Sequence, residues 1–299
     1  MANDRQLFDY LLRLGDNALV LSQRLGEWVG HGPVLEEDIA LTNVGLDLLG
    51  QARLWYAYGG EVEARFAGAG RSEDALAFLR DSGDFRNLLI VERPNGNYAD
   101  TMARQFYFDQ WHVRLLGELA GSHDARIGEI AAKSLKEAIY HAERSGDWVI
   151  RLGDGTDESH VKMQAAIDDL WMYTGEMFET DETETALAAD GVGCDVRVLA
   201  APWRDTVAAV LSEATLVMPE GGCSLAASRA CTARSWDGCS RRCRCCNGRI
   251  LERTGERDAK WSRVGSERKR RQSAATALRD SGSGDSSDLD CRAWHRARC

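Results

Sequence analysis

Leu7, Leu11, Leu14, Ala18, Leu21, Leu25 and Trp28 follow one another at intervals of 4, 3, 4, 3, 4 and 3 residues. This spacing holds one apolar stripe on one face of an α-helix for about six turns. It has none of the period-2 alternation of a strand. A chain that begins this way must bury the stripe against other helices. The spacing predicts a helix over 4–29, stopped by His31-Gly32-Pro33. A second helix is predicted over 35–58, with one stripe through Leu35, Ile39, Thr42, Leu46 and Leu49 and another through Leu41, Val44, Leu48 and Ala52. A helix apolar on two faces is expected to lie between neighbours. The stripe of Leu41, Val44 and Leu48 exceeds the needs of one seam, so it is also expected to serve an interface. Gly59-Gly60 is read as the end of this helix.

Similar patterns place a third helix over 99–120, with Met102, Phe106, Asp109, Val113, Leu116 and Ala120 on its seam. A fourth spans 125–152, with Ile127, Ala131, Ser134, Ala138, His141, Ser145, Trp148 and Leu152 inward. A fifth spans 158–178 through Met163, Ile167, Leu170, Thr174 and Met177. Shorter helices are predicted over 73–81, capped by Ser72, and over 182–188, with a longer one over 196–216. Only four prolines in 299 residues argue for long uninterrupted helices. Pro94-Asn95-Gly96-Asn97 is a turn, and Leu88 to Val91 are read as an apolar loop packed on the bundle. The connections after the first and third helices are short, and about 40 residues separate the second from the third. Two hairpins joined by one long crossover form the ferritin-like version of a four-helix bundle. The expected fold class is therefore all-α, a ferritin-like bundle with additional C-terminal helices.

The chain changes character after Pro219. Residues 1–219 carry 19 Lys and Arg against 37 Asp and Glu, a net charge of −18, whereas residues 220–299 carry 18 against 10. Eight of the nine cysteines lie in that second part, with 16 arginines and only six large aliphatic residues. So little apolar surface cannot offset the ordering entropy of 80 residues. The expected division is a ferritin-like domain over 1–219 and an Arg/Ser/Cys-rich tail over 220–299, disordered or the product of a shifted reading frame. Cys243-Arg244-Cys245-Cys246 has no second closely spaced pair to complete a zinc site. Limited proteolysis of the full chain is expected to leave a stable core ending near residue 219. A protease-resistant tail, or order there that a chelator abolishes, contradicts this reading.

Several functions are excluded early. The acidic body repels phosphate, so no nucleic-acid partner is expected, and Arg268 to Arg271 reflect the tail's composition. No apolar run reaches about 18 residues, so no membrane span is expected. The N-terminus lacks the pattern of a secretory signal, and the expected location is cytoplasmic. No Gly-x-Gly-x-x-Gly or P-loop is present, Gly153-Asp154-Gly155 reads as a helix-ending turn, and the lone body cysteine, Cys194, has no basic companion nearby. Tyr107, Tyr140, Trp111 and Trp148 are expected to serve packing.

A ferritin-like bundle raises the question of a di-iron centre. Such a centre takes one Glu from each of two helices and Glu-x-x-His from each of the other two. No Glu-x-x-His occurs in residues 1–219. The third helix offers Asp109 and His112, and the fourth Glu137 and His141, four apart. Asp16, Glu27 and Asp47 fall on flanking faces of the first two helices. No catalytic, cofactor or metal residue is therefore assigned, and no cofactor is expected in this chain. Asp109 and His141 are expected to be buried polar groups that bond each other across the third and fourth helices. The competing reading, a self-sufficient di-iron oxidase or iron-binding protein, needs six inward ligands. The sequence offers at most Asp109 or His112, Glu137 and His141.

Several segments carry a resemblance. They include Arg13-Leu14-Gly15-Asp16-Asn17, Leu21 to Trp28, Asn43 to Arg53, Glu92 to Asn97, Trp111-His112, Tyr140-His141, Arg151 to Thr156 and Lys162-Met163-Gln164. Together they resemble the family of non-catalytic, ferritin-like subunits, lettered C, of the 1,2-phenylacetyl-CoA epoxidases, over about residues 5–216. The resemblance implies a structural subunit of a multicomponent monooxygenase in phenylacetate breakdown. It implies a homologous catalytic subunit that holds the di-iron centre and binds phenylacetyl-CoA, and a separate reductase that delivers electrons from NADPH. The family continues past this point with a glycine-rich loop and a last amphipathic helix, and residues 220–299 have neither.

Overall fold

Asn3 starts the first helix. Its side chain accepts from the Gln6 amide while the Gln6 side chain bonds back, closing a capping box ahead of α1, Asp4–Gly26. The chain reverses through residues 27–34 and runs back as α2, Leu35–Ala67. The computed structural model describes residues 3–219, and among these the regular structure is helical. The expectations for the tail, residues 220–299, lie outside the described residues.

Gly59-Gly60 does not end α2. Both glycines are buried inside the helix, which stops only at Gly68, in the left-handed conformation with φ 80°. A Cβ on Gly60 would sit 2.1 Å from the Arg71 carbonyl oxygen. The glycines therefore let the returning chain lie directly on the helix, a close approach that reads in sequence like a stop signal.

Ser72 caps α3, Glu73–Phe78, as its sequence position requires. A 3-10 turn at Ser82–Asp84 follows, and then α4, Leu89–Glu92, a single turn where an apolar loop was expected. Its Ile90 and Val91 are buried. Asn97 caps α5, Tyr98–Leu119, and Asp124 caps α6, Ala125–Gly153. Thr156 starts α7, Asp157–Trp171. The predicted helix over 158–178 breaks here: the Thr174 hydroxyl bonds the Trp171 carbonyl at 2.8 Å, and Gly175–Phe178 form a 3-10 turn. After α8, Glu182–Ala189, the predicted helix over 196–216 also divides, into a 3-10 turn at Val196–Leu199 and α9, Ala200–Glu213. Pro202 has no N–H to give, and it stands in the first turn of α9, where none is needed.

The helices α1 and α2 pack as one antiparallel hairpin and α5 and α6 as the other, with residues 68–97 crossing between them. This is the ferritin-like arrangement. Further contacts join α2 to α6, α5 to α7, and α9 to both α5 and α6. The seam residues from Leu7 to Leu25 are buried, as are Met102, Phe106 and Leu116 on α5 and Ile127, Ala131 and Ala138 on α6. Among the described residues no helix is long and apolar enough to cross a membrane.

The structure reverses one expectation for α2. Leu41, Val44, Leu48 and Ala52 are fully covered within the chain, while Leu35, Ile39, Leu46 and Leu49 are 72%, 52%, 59% and 42% exposed. The spare stripe is the first one, not the second. Periodicity fixes the angle between two stripes on a helix but not which of them turns toward the bundle.

Candidate functional site

Two sets of buried polar side chains occupy the bundle. The first sits where the crossover meets α1. Asp16, read in sequence as lying on a flanking face, is fully buried. Its carboxylate pairs with the Arg80 guanidinium through both oxygens, accepts from the Tyr56 hydroxyl at 2.5 Å and accepts from the Arg86 amide at 2.7 Å. The next residue, Asn17, accepts from the Leu88 amide at 2.7 Å. Gly15 makes room for this: a Cβ there would stand 2.5 Å from the Tyr56 ring. The Arg80 guanidinium also lies over the Phe85 ring, 4.3 Å from its centre. Burial pushes the Tyr56 hydroxyl well above its ordinary pKa, with the Asp16 charge adding to it.

Further along the crossover, Arg24 donates to the Glu92 carbonyl at 2.7 Å and pairs with Glu27 at 3.0 Å. Asn95 returns a bond to the Arg24 carbonyl at 2.7 Å. Arg104 on α5 donates to the Arg93 carbonyl and the Asn95 side chain. The segments that carry the family resemblance, Arg13 to Asn17, Leu21 to Trp28 and Glu92 to Asn97, are thus the clamps that strap the crossover to the bundle. Asp16 and Glu27, the near misses among candidate ligands, are held by arginines.

The second set lies between α2, α5 and α6. Asp109, His112, Gln105, Ser134, Ser145 and His141 are all buried. The expected bond between Asp109 and His141 is not made. His141 Nε2 instead lies 3.1 Å from Asp47 Oδ2 on α2, and Gln51 on the same helix donates to Glu137 at 3.0 Å. The reason is reach. Asp47 and Gln51 sit one turn apart on α2, opposite the turn from Glu137 to His141 on α6, so the polar pairs form between these two helices.

Asp109 Oδ1, His112 Nδ1, His141 Nδ1, Ser134 Oγ and both amide atoms of Gln105 have no protein hydrogen-bond partner. Burial pushes the Asp109 carboxyl up to about 6, against the pull of His141 and a Ser145 hydrogen bond. Burial pushes His112 down to about 3, with His141 adding to it. Arg104, wholly enclosed, is lowered to about 9 by burial and then by Arg24. At neutral pH the core therefore holds a neutral imidazole at 112, a charged guanidinium at 104 and an Asp109 carboxylate held against its solvation preference.

These donors do not fit a di-iron centre. That centre needs four carboxylates and two imidazoles converging in the core. Here the one buried carboxylate of α1 is Asp16, already locked to Arg80 and Tyr56. α2 turns Gln51 inward, and its Asp47 is partly exposed and engaged by His141. Among the described residues no group of three or more His, Cys, Asp or Glu side chains is placed to hold a metal ion.

Other residues named in the sequence take structural roles. The Tyr107 hydroxyl donates to the Ile167 carbonyl at 3.2 Å and the Trp111 indole to the Met177 carbonyl at 2.9 Å. Trp148 meets the Tyr98 ring edge-on. Tyr140, expected in the packing, is half exposed. Cys194 is buried, and burial raises its thiol to about 12, far from a reactive thiolate. Apolar periodicity passed over Arg80, Arg104 and Gln105, because a polar residue inside an apolar stripe carries no periodic signal. Arg104 and Gln105 do carry a sequence signal of another kind, because Ala103-Arg104-Gln105 is one of the segments that bear the family resemblance.

Fold and core together define a ferritin-like helical protein whose centre keeps a polar cluster without the donor set of a dimetal oxygenase. The family model of the phenylacetic acid catabolic proteins matches residues 1–229, and the chain belongs to that family. It is 54% identical over 215 residues to the subunit lettered C of the 1,2-phenylacetyl-CoA epoxidase of Escherichia coli (strain K12), an alignment covering 72% of this chain and 85% of that one.

Proposed function

We propose that this chain is the structural, non-catalytic subunit of a multicomponent monooxygenase that epoxidises the ring of phenylacetyl-CoA during aerobic phenylacetate breakdown in the cytoplasm. It works docked to a homologous subunit that carries the di-iron centre and binds the CoA thioester. The supporting observation is the core itself. Where a ferritin-like oxygenase sets six inward ligands, this bundle sets Asp109, His112 and His141 beside Arg104 and Gln105, with His141 already bonded to Asp47. A buried guanidinium within electrostatic reach of Asp109 opposes a pair of cations at the same place. The Escherichia coli relative, named as a subunit of that epoxidase, supports the substrate assignment.

In this reading the contribution of the chain is mechanical. Its rigid bundle, strapped by the Asp16–Arg80 and Arg24–Glu92 clamps, offers the catalytic subunit a fixed surface. The purified chain is expected to carry no stoichiometric iron and to turn over no phenylacetyl-CoA alone. Turnover is expected when the family member with the complete ligand set and the reductase are added, and to be lost when this chain is left out. About two irons per chain, lost on Glu137→Ala, or epoxidation by this chain without the partner, overturns the proposal.

A further inference from the structure

The outward face of α2 is apolar, and among the described residues nothing covers it. Leu35, Ile39, Thr42, Leu46 and Leu49 fall at intervals of 4, 3, 4 and 3 residues, the same spacing as the buried seam of α1. Four of the five are large aliphatics exposed to solvent. The Thr42 hydroxyl bonds the Asp38 carbonyl of its own helix at 2.8 Å, so it asks nothing of an occupant. From Ile39 to Ala52 the only charged residue on α2 is Asp47, and its carboxylate is engaged by His141. Tyr140, next to that pair on α6, is half exposed. An electrically quiet face of about four turns is anomalous on a body of net charge −18.

We propose that this face of α2 is the docking seam for a second helical bundle of the same family, packed helix to helix. The occupant rests on the reading above, that this chain serves a family member holding the complete ligand set. Three observations favour such a bundle. A 4-3 repeat accepts another helix at a shallow crossing angle, with side chains of each helix seated between those of the other. Five such side chains offer roughly 300–600 Å² of apolar surface, on the order of half the ~800 Å² that each partner of a standard interface buries. The remainder must come from flanking elements, which a bundle provides and a short peptide does not. A second copy of this chain, of net charge −10, would set like charge against like, which opposes self-pairing.

The test uses the full-length chain and, as its probe, the family member from the same source that carries the four-carboxylate, two-histidine set. Wild type is expected to elute with it as a complex. The double variant Ile39→Glu, Leu46→Glu is expected to bind at least tenfold more weakly, with its helical circular dichroism and melting unchanged because both side chains are exposed. The single variant Leu46→Arg gives a milder form of the same loss, and Val161→Glu, an exposed apolar site on α7, should bind as wild type does. If the wild-type complex forms and the α2 variants bind equally well, the docking seam is wrong while the proposed function stands. If wild type fails to bind the probe at all, the proposed function falls and takes the seam with it. A wild-type homodimer that the α2 variants abolish, without any complex with the probe, makes a second copy the occupant and also overturns the proposal.

Discussion

Asp16→Ala is expected to lower the stability of the helical body by about 3–5 kcal/mol, the usual cost of leaving one buried charge without its partner. The variant strands the Arg80 guanidinium, whose side chain is 2% exposed, in the crossover. It also removes the acceptor for the Tyr56 hydroxyl and the Arg86 amide. For a body of this size such a loss lowers Tm by roughly 6–20 °C. Because the pair anchors the crossover to α1, the segment around Ser82–Asp84 should also gain proteolytic sensitivity ahead of global unfolding. The double replacement Asp16→Leu, Arg80→Met should recover a good part of the loss, since a buried pair exchanged for packed apolar groups is often neutral. A loss below about 1 kcal/mol for Asp16→Ala, read from chemical denaturation, would show that the clamp is not what holds the crossover.

Asp109→Asn should act in the opposite direction. The folded carboxyl titrates near 6, above the ordinary 3.8, because burial disfavours its charge. A raised acid pKa means that the folded state takes up its proton first. Its contribution to stability is therefore greatest below pH 4 and declines as pH climbs to 6, and above that the full penalty applies. That penalty is of the order of 3 kcal/mol, and asparagine escapes it while keeping the shape. Allowing for an amide that finds imperfect partners, a gain of about 1–2 kcal/mol is expected at pH 8.

His112 runs the other way. Its folded pKa of about 3 lies below the ordinary 6.5, so its contribution is complete above pH 6.5 and is lost on acidification. In the wild type the two slopes oppose each other between about pH 4 and 6. In Asp109→Asn only the histidine slope remains, so the advantage of the variant should shrink toward pH 4. Denaturation curves at pH 4, 6 and 8 measure this directly. A variant less stable than wild type at pH 8, or a gain independent of pH, would show that Asp109 is stabilised by partners and is not penalised by burial.

A buried carboxylate that costs stability is the kind of remnant that a bundle relieved of metal chemistry, as proposed above, can carry. Asp109 and His112 stand three residues apart on α5, as the ligands of a metal-binding helix would, yet His141 turns to Asp47 and Arg104 fills the neighbourhood. Iron ligation requires a complete set of residue types, and an incomplete set is visible in a sequence without any knowledge of geometry. The residues that stand among the would-be ligands were not visible in that way, because arginine and glutamine have no required spacing.

What the sequence determined by itself was the placement of the long helices. The 4-3 seams place α1, α2, α5 and α6 within a few residues, apart from the far end of α2, because an apolar stripe at helical period has one way to be buried. Ser72 marks the start of α3 in the sequence, because a capping side chain reaches only two or three residues along its own chain; the structure shows Asn3, Asn97, Asp124 and Thr156 capping their helices in the same way. Tertiary structure decided the rest. Gly59-Gly60 continues α2 because residues 70 and 71 lie against it, a contact set by chain that has not yet returned when the glycines are read. His141 takes Asp47, and not Asp109, because partner choice between helices depends on their relative rotation and offset, which no single helix encodes. The same rotation buries Leu41, Val44 and Leu48 and leaves Leu35, Ile39, Leu46 and Leu49 in water. A helix with two apolar stripes satisfies its own periodicity either way, and only the packing of α1 against it selects which stripe remains on the surface.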